Sequence, residues 1–232
     1  NCQIRISRSL YCLSNNMNKV LCAGCSHTRE FYWDPWPSYI NNSVNIGIRG
    51  AGPDLISKRV VVELAKNEYT HVIIQWPDPN RWDLYIEDEA HAFEALPISG
   101  MQESQTRTFS NLDGDEVKLD GYCTPGSEHR GYMKTYYKQY YSPRQHQINF
   151  WNCVLTVQLL CEKLNIKYAW TTVLDLYDYG DCPFNFVDQT KFIQPTGMIN
   201  HLINQGFNIT DEHFSTEAHK EWSKIIKSGL TL

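Results

Sequence analysis

Residues able to carry out acyl transfer sit near both ends of this chain. The stretch Gly24-Cys25-Ser26-His27-Thr28 follows the apolar run Lys19 to Ala23, so Ser26 is presented at the carboxyl end of a predicted strand. An alcohol placed there attacks a carbonyl once a base takes its proton. Far along the chain, "NITDEHFSTEAHKEW" sets Asp211 and His213 in a loop ahead of the last predicted helix. A carboxylate beside an imidazole fixes its tautomer and stabilises the imidazolium that forms. The reading is therefore Ser26 as nucleophile, His213 as base and Asp211 as its orienting partner. Donors for the developing oxyanion are expected from Gly50, in "NIGIRGAG" past the second strand, and from the side chain of Asn80, in "QWPDPNRW" past the third. His27, Trp76, Asp78 and Trp82 are the candidate pocket residues, with Trp33 and Trp36 nearby in sequence. Large aromatics at such places serve a core as readily as a pocket.

Competing chemistries share the same turn. Cys22 and Cys25 form a Cys-x-x-Cys pair after a strand, the spacing of a dithiol oxidoreductase. Strand alternation points Cys22 into the sheet core, and no proline-bearing loop opposite the pair stands out. With His27 the pair makes three zinc ligands where a structural site needs four, so neither a metal nor a cofactor is expected. Ser26 as a turn cap is the plain structural alternative, and His219 reads as a structural helix residue.

The positioning elements follow from periodicity. Buried strands are predicted at Lys19–Ala23, Ser43–Ile48, Thr70–Trp76 and Ile166–Val173. Helices are predicted at Pro53–Glu68, Ser142–Leu164 and Ser215–Lys227. Strands separated by crossover helices imply a parallel sheet covered on both faces, with sites at the strands' carboxyl ends. Residues 82–141 break the rhythm with acidic, aromatic and turn-forming residues, and read as an insertion over one end of the sheet. Its tyrosines, Tyr132, Tyr136, Tyr137, Tyr140 and Tyr141, suit either a sugar-stacking platform or a packed helix face.

Composition bounds the function. The 232 residues are 42% hydrophobic and 20% charged, enough for one well-filled core. Residues 1–16 read as an arm or tag-like extension and 17–232 as one domain. A net charge of −5 without clustered Lys and Arg argues against a nucleic-acid partner. No run reaches the roughly 18 apolar residues of a membrane span. Without a recognisable secretion signal, and with Cys153 and Cys161 in apolar company, reduced thiols in the cytoplasm are expected.

"GCSHT" after the first strand, Asn45-Ile46-Gly47-Ile48-Arg49-Gly50 after the second and "DEHFSTEAHKEW" before the final helix together resemble the SGNH, or GDSL-type, hydrolase superfamily. The wording is similar to SGNH-like proteins of phages and marine metagenomes. The resemblance implies a three-layer α/β/α sandwich and a metal-free serine esterase acting on a small ester or an acylated glycan. Ser26 corresponds to the nucleophile and, through its backbone amide, to an oxyanion donor beside Gly50. His213 corresponds to the base. Asp211 takes the carboxylate position at Asp-x-His spacing, where the family has Asp-x-x-His. In the third block the family's Gly-x-Asn-Asp is absent and Asn80 aligns with a shift of one residue. That departure keeps open a non-catalytic binding or structural protein on the same fold, with the dithiol oxidoreductase as a minor alternative.

Overall fold

The computed structural model describes residues 18–30, 33–81, 83, 106–110, 116–120, 139–209 and 213–230. Four strands, β1 (Val20–Gly24), β2 (Ser43–Asn45), β3 (His71–Trp76) and β6 (Lys167–Thr172), form a parallel sheet in the order β2-β1-β3-β6. β4 (Thr106–Ser110) and β5 (Glu116–Asp120) pair antiparallel, Thr106 opposite Asp120. The helices are α1 (Pro53–Lys66), α2 (Pro143–Leu164), α3 (Met198–Asn204) and α4 (Thr216–Leu230).

Strand alternation divides the core in two. Leu21, Val72, Ile74 and Trp76 join α1 and α2 through Leu55, Val60, Phe150 and Val154. Val20, Cys22 and Ile73 face the other way, toward Trp36, Leu202, Trp222 and Ile226. Because both faces are covered, β1 and β3 are buried at every position, which is why they read as continuous apolar runs. The result is an α/β fold with helices on both sides of a parallel sheet. No helix among the described residues is long and apolar enough to cross a membrane.

Local chemistry sets most element ends. α2 starts where Ser142 Oγ accepts from the Gln145 N–H and Pro143 fills the first turn, and it stops at Asn165, whose φ of 57° is left-handed. α1 also has proline in its first turn, yet its N-cap, Gly52, has no side chain. Asp83 caps it from a distance, accepting from the N–H groups of Gly52 (2.7 Å) and Leu55 (2.8 Å). A β-carbon on Gly52 would stand 2.6 Å from that carboxylate, so the close approach requires glycine.

β2 is shorter than expected. Its regular pairing with β1 ends at Asn45, whose side chain turns onto backbone: Nδ2 donates to Thr28 O (2.7 Å) and Oδ1 accepts from Gly47 N (2.9 Å). The chain still follows β1 through Ile46 N to Cys22 O (2.8 Å) and Ile48 N to Gly24 O (3.0 Å). α3 was not foreseen. It is short, and Asp175 holds its start, accepting from Gly197 N (2.7 Å) and Asn200 Nδ2 (2.8 Å).

The arm assigned to 1–16, residues Trp82 and Asp211, Tyr132, Tyr136 and Tyr137, and most of the expected insertion lie outside the described residues. The cap from Asp83 generates one prediction. Asp83→Ala removes both acceptors from the buried start of α1 and is expected to cost about 1–2 kcal/mol, read as a loss in urea-unfolding free energy.

Candidate functional site

The turn after β1 is built on close approach. Thr28 N and Arg29 N both donate to Cys25 O, at 3.0 and 3.1 Å. A β-carbon on Gly24 would lie 2.1 Å from Thr28 Oγ1 and 2.9 Å from Gln75 O, so the turn closes only over glycine. Beneath it, Gln75 Oε1 accepts from Thr28 Oγ1 (3.0 Å) and Trp36 Nε1 (3.1 Å), while its Nε2 donates to Met198 Sδ (3.0 Å). Asn45 then ties the turn to the glycine loop after β2. Ser26 is half-buried at the tip, between buried Cys25 and buried His27.

His213 is brought to this turn from just before α4. Its ring lies 5.0 Å from that of His27, centroid to centroid, tilted by 46°, and 4.8 Å from Trp33. Trp33 in turn stacks parallel to His219 at 6.4 Å. Among the described residues no hydrogen bond between Ser26 Oγ and His213 is formed, and His27 makes the ring contact between the two segments. Such bonds commonly tighten only when substrate is bound. Asp211 and Trp82 lie outside the described residues.

The oxyanion candidates follow the two strands that flank β1. Gly50 has a φ of 72°, in the left-handed region that favours glycine, at the turn after the second strand. Asn80 is held on three sides. Its N–H and Nδ2 donate to Asp78 Oδ1 (2.8 and 3.0 Å), and its Oδ1 accepts from Tyr141 OH (2.5 Å). His146, at the start of α2, lies 5.0 Å from the Tyr141 ring and bonds the Pro79 backbone. Tyr141 thus serves this loop through its hydroxyl; Tyr140 is 70% exposed. Asp78 is occupied in orienting Asn80.

Trp76 and Trp36 are fully buried, and Trp76 packs edge-on to Phe150 and Trp170, so both belong to the core beneath the site. Cys22 and Cys25 are both fully buried and free, and burial pushes the Cys22 thiol far up, the reverse of a reactive thiolate. Among the described residues no group of three His, Cys, Asp or Glu side chains is arranged to hold a metal. From the sequence, Thr28 and Asn45 are named only within their motifs and Gln75 and Arg81 receive no role; the lone glutamine in "THVIIQW" is the available signal.

Burial gives the site a pH signature. It pushes His27 down to about 3, helped by His213, His219 and Arg81, and His219 down to about 4, helped by His213. Both contribute stability that is present above 6.5 and lost as the pH falls through those values. Asp83 acts oppositely, since burial raises its carboxyl to about 6 and its contribution, full below 3.8, is lost as the pH rises through 6. Between pH 6 and 4 two histidines outweigh one carboxyl, so stability is expected to fall with acidification by about 1.4 kcal/mol per pH unit. His71 and His146, lowered by burial, add to the same side. Neither ring nitrogen of His219 has a hydrogen-bond partner among the described residues. His219→Phe is therefore expected to change stability at pH 7 by less than about 1 kcal/mol while removing about one proton's worth of that slope, as urea melts across the range would show. Set against known proteins, the chain matches no family model and no curated protein.

Proposed function

We propose that the protein is a serine ester hydrolase of the SGNH, or GDSL, type, built on a three-layer α/β/α sandwich and acting on a small ester or an acylated glycan. The observation that carries this reading is the packing of His213 against His27, which brings a C-terminal imidazole beside the residue following Ser26. Ser26 Oγ attacks the ester carbonyl carbon as His213 takes its proton. Asp211 orients the imidazole. The negative charge moves onto the carbonyl oxygen, where the backbone N–H groups of Ser26 and Gly50 and the Nδ2 of Asn80 receive it. Collapse breaks the bond to the leaving alcohol, which takes the proton from His213. Water then adds to the acyl-enzyme by the same route in reverse and releases the acid. The chemistry assigns no role to a metal or cofactor. The free thiols of Cys22, Cys25, Cys153, Cys161 and Cys182 favour a reducing compartment such as the cytoplasm.

A second reading, a non-catalytic binding protein on the same fold, is favoured by one contact: Asp78 Oδ1 accepts from the Asn80 amide and sets a carboxylate beside an expected oxyanion donor. The burial of Cys22 and Cys25 lends the dithiol alternative no support.

Hydrolysis of p-nitrophenyl acetate separates the two leading readings. Ser26→Ala is expected to lower kcat by about 10³-fold or more and to abolish labelling by a fluorophosphonate. An inert wild type across a panel of esters, or an undiminished variant, would leave the binding protein as the better account. Tyr141 acts through Asn80 as a positioning residue. Tyr141→Phe is expected to reduce kcat about tenfold with KM nearly unchanged, because the loosened amide is felt where charge develops.

A further inference from the structure

Arg81 is left over once the ester-hydrolysis roles have been assigned. It follows Asn80 in the loop after β3, half-buried, with its backbone N–H on Asp78 O at 3.1 Å. Its Nη1 is buried and has no hydrogen-bond partner among the described residues, and none of the ion pairs among them includes it. The acids nearest in sequence are engaged elsewhere: Asp78 Oδ1 with Asn80, and both oxygens of Asp83 with the start of α1. A second group nearby is in the same condition. His27 is 5% exposed and its Nδ1, also buried, has no partner among the described residues.

A guanidinium held partly out of water without a counter-charge costs free energy, and the cost is recovered when an anion arrives. We propose that Arg81, with the imidazole of His27 on the turn of the adjacent strand, forms an anion subsite near Ser26, and that the preferred ester carries a carboxylate. This inference rests on the serine-hydrolase reading for its substrate and deepens it. β1 and β3 pair as far as Gly24 opposite Gln75, so the turn carrying His27 and the loop carrying Arg81 leave the sheet from adjacent strands, and the charge of Arg81 helps hold the imidazole neutral. The subsite therefore offers a single positive charge, matching a monoanion; a phosphate monoester would bring nearly two negative charges to it. The planar guanidinium fork also fits a carboxylate bidentately. A chain of net charge −5 repels anions in general, so a local cation is what admits one.

The test compares 4-acetoxybenzoate with its neutral methyl ester, which share the acetyl group and differ in charge on the leaving part. The wild type is expected to favour the carboxylate in kcat/KM by about tenfold or more, mainly through KM, and Arg81→Gln is expected to erase that ratio. Arg81→Lys, which keeps the charge without the fork, should fall between. The melting temperature of Arg81→Gln should be no lower than that of the wild type, a readout that a purely structural role would move downward. A ratio near one in the wild type, or an unchanged ratio in Arg81→Gln, overturns the subsite. Equal preference for 4-acetoxybenzenesulfonate overturns the carboxylate assignment. Calorimetric titration of Ser26→Ala with 4-acetoxybenzoate separates the two readings. Binding that vanishes in the Ser26→Ala, Arg81→Gln protein supports the subsite even where the wild type hydrolyses nothing, a result that would sink the hydrolase reading alone.

Discussion

Gln75 has to satisfy a whole amide where no water reaches it. It is fully buried at the carboxyl end of β3, and its oxygen accepts hydrogen bonds from Thr28 and Trp36 while its nitrogen donates one to Met198. Four segments meet there: the turn after β1, the short helix at Trp36–Tyr39, β3 and the start of α3. Because a buried polar group left unmade costs its full desolvation, these segments are held in one relative arrangement and not a range of them. The position of Ser26 follows from that. The serine sits on a turn whose next residues are locked to the sheet by a hydrogen-bonded knot.

Elsewhere among the described residues, some buried polar atoms go unpaired. The Nη1 of Arg81, the Nδ1 of His27 and both nitrogens of His219 are buried without hydrogen-bond partners among the described residues. Buried polar atoms in folded proteins are almost always paired, and further exceptions among the described residues, such as Glu63 Oε2, Trp170 Nε1 and Trp222 Nε1, are spread through the fold. The opposite pattern holds around the helices. Asp83 and Asp175, both distant in sequence from the helix starts they serve, each satisfy two donors.

Much of the framework was legible because its causes are local. β1 and β3 appear as apolar runs since both their faces are covered, and the start of α2 is written in Ser142-Pro143. Where a side chain reaches across the fold, reading failed. β2 is shorter than its apolar pattern suggests because Asn45 ends its pairing by bonding a turn seventeen positions earlier. α3 went unforeseen because its cap is Asp175, and nothing around Met198 announces a helix start. Tyr141 was visible as one tyrosine among several, while its bond to Asn80 was not.

By itself, the order of residues determined the kinds of elements, their succession and the candidates at the carboxyl ends of strands, since periodicity and turn chemistry act over a few neighbouring positions. Only the tertiary structure decided that His213 packs against His27, that Trp76 lies in the core, and that Arg81 Nη1 is buried without a hydrogen-bond partner among the described residues. Those outcomes depend on which distant side chains share a desolvated space. Such sharing is settled by packing and by the pairing of buried polar groups, and no local stretch of sequence encodes it.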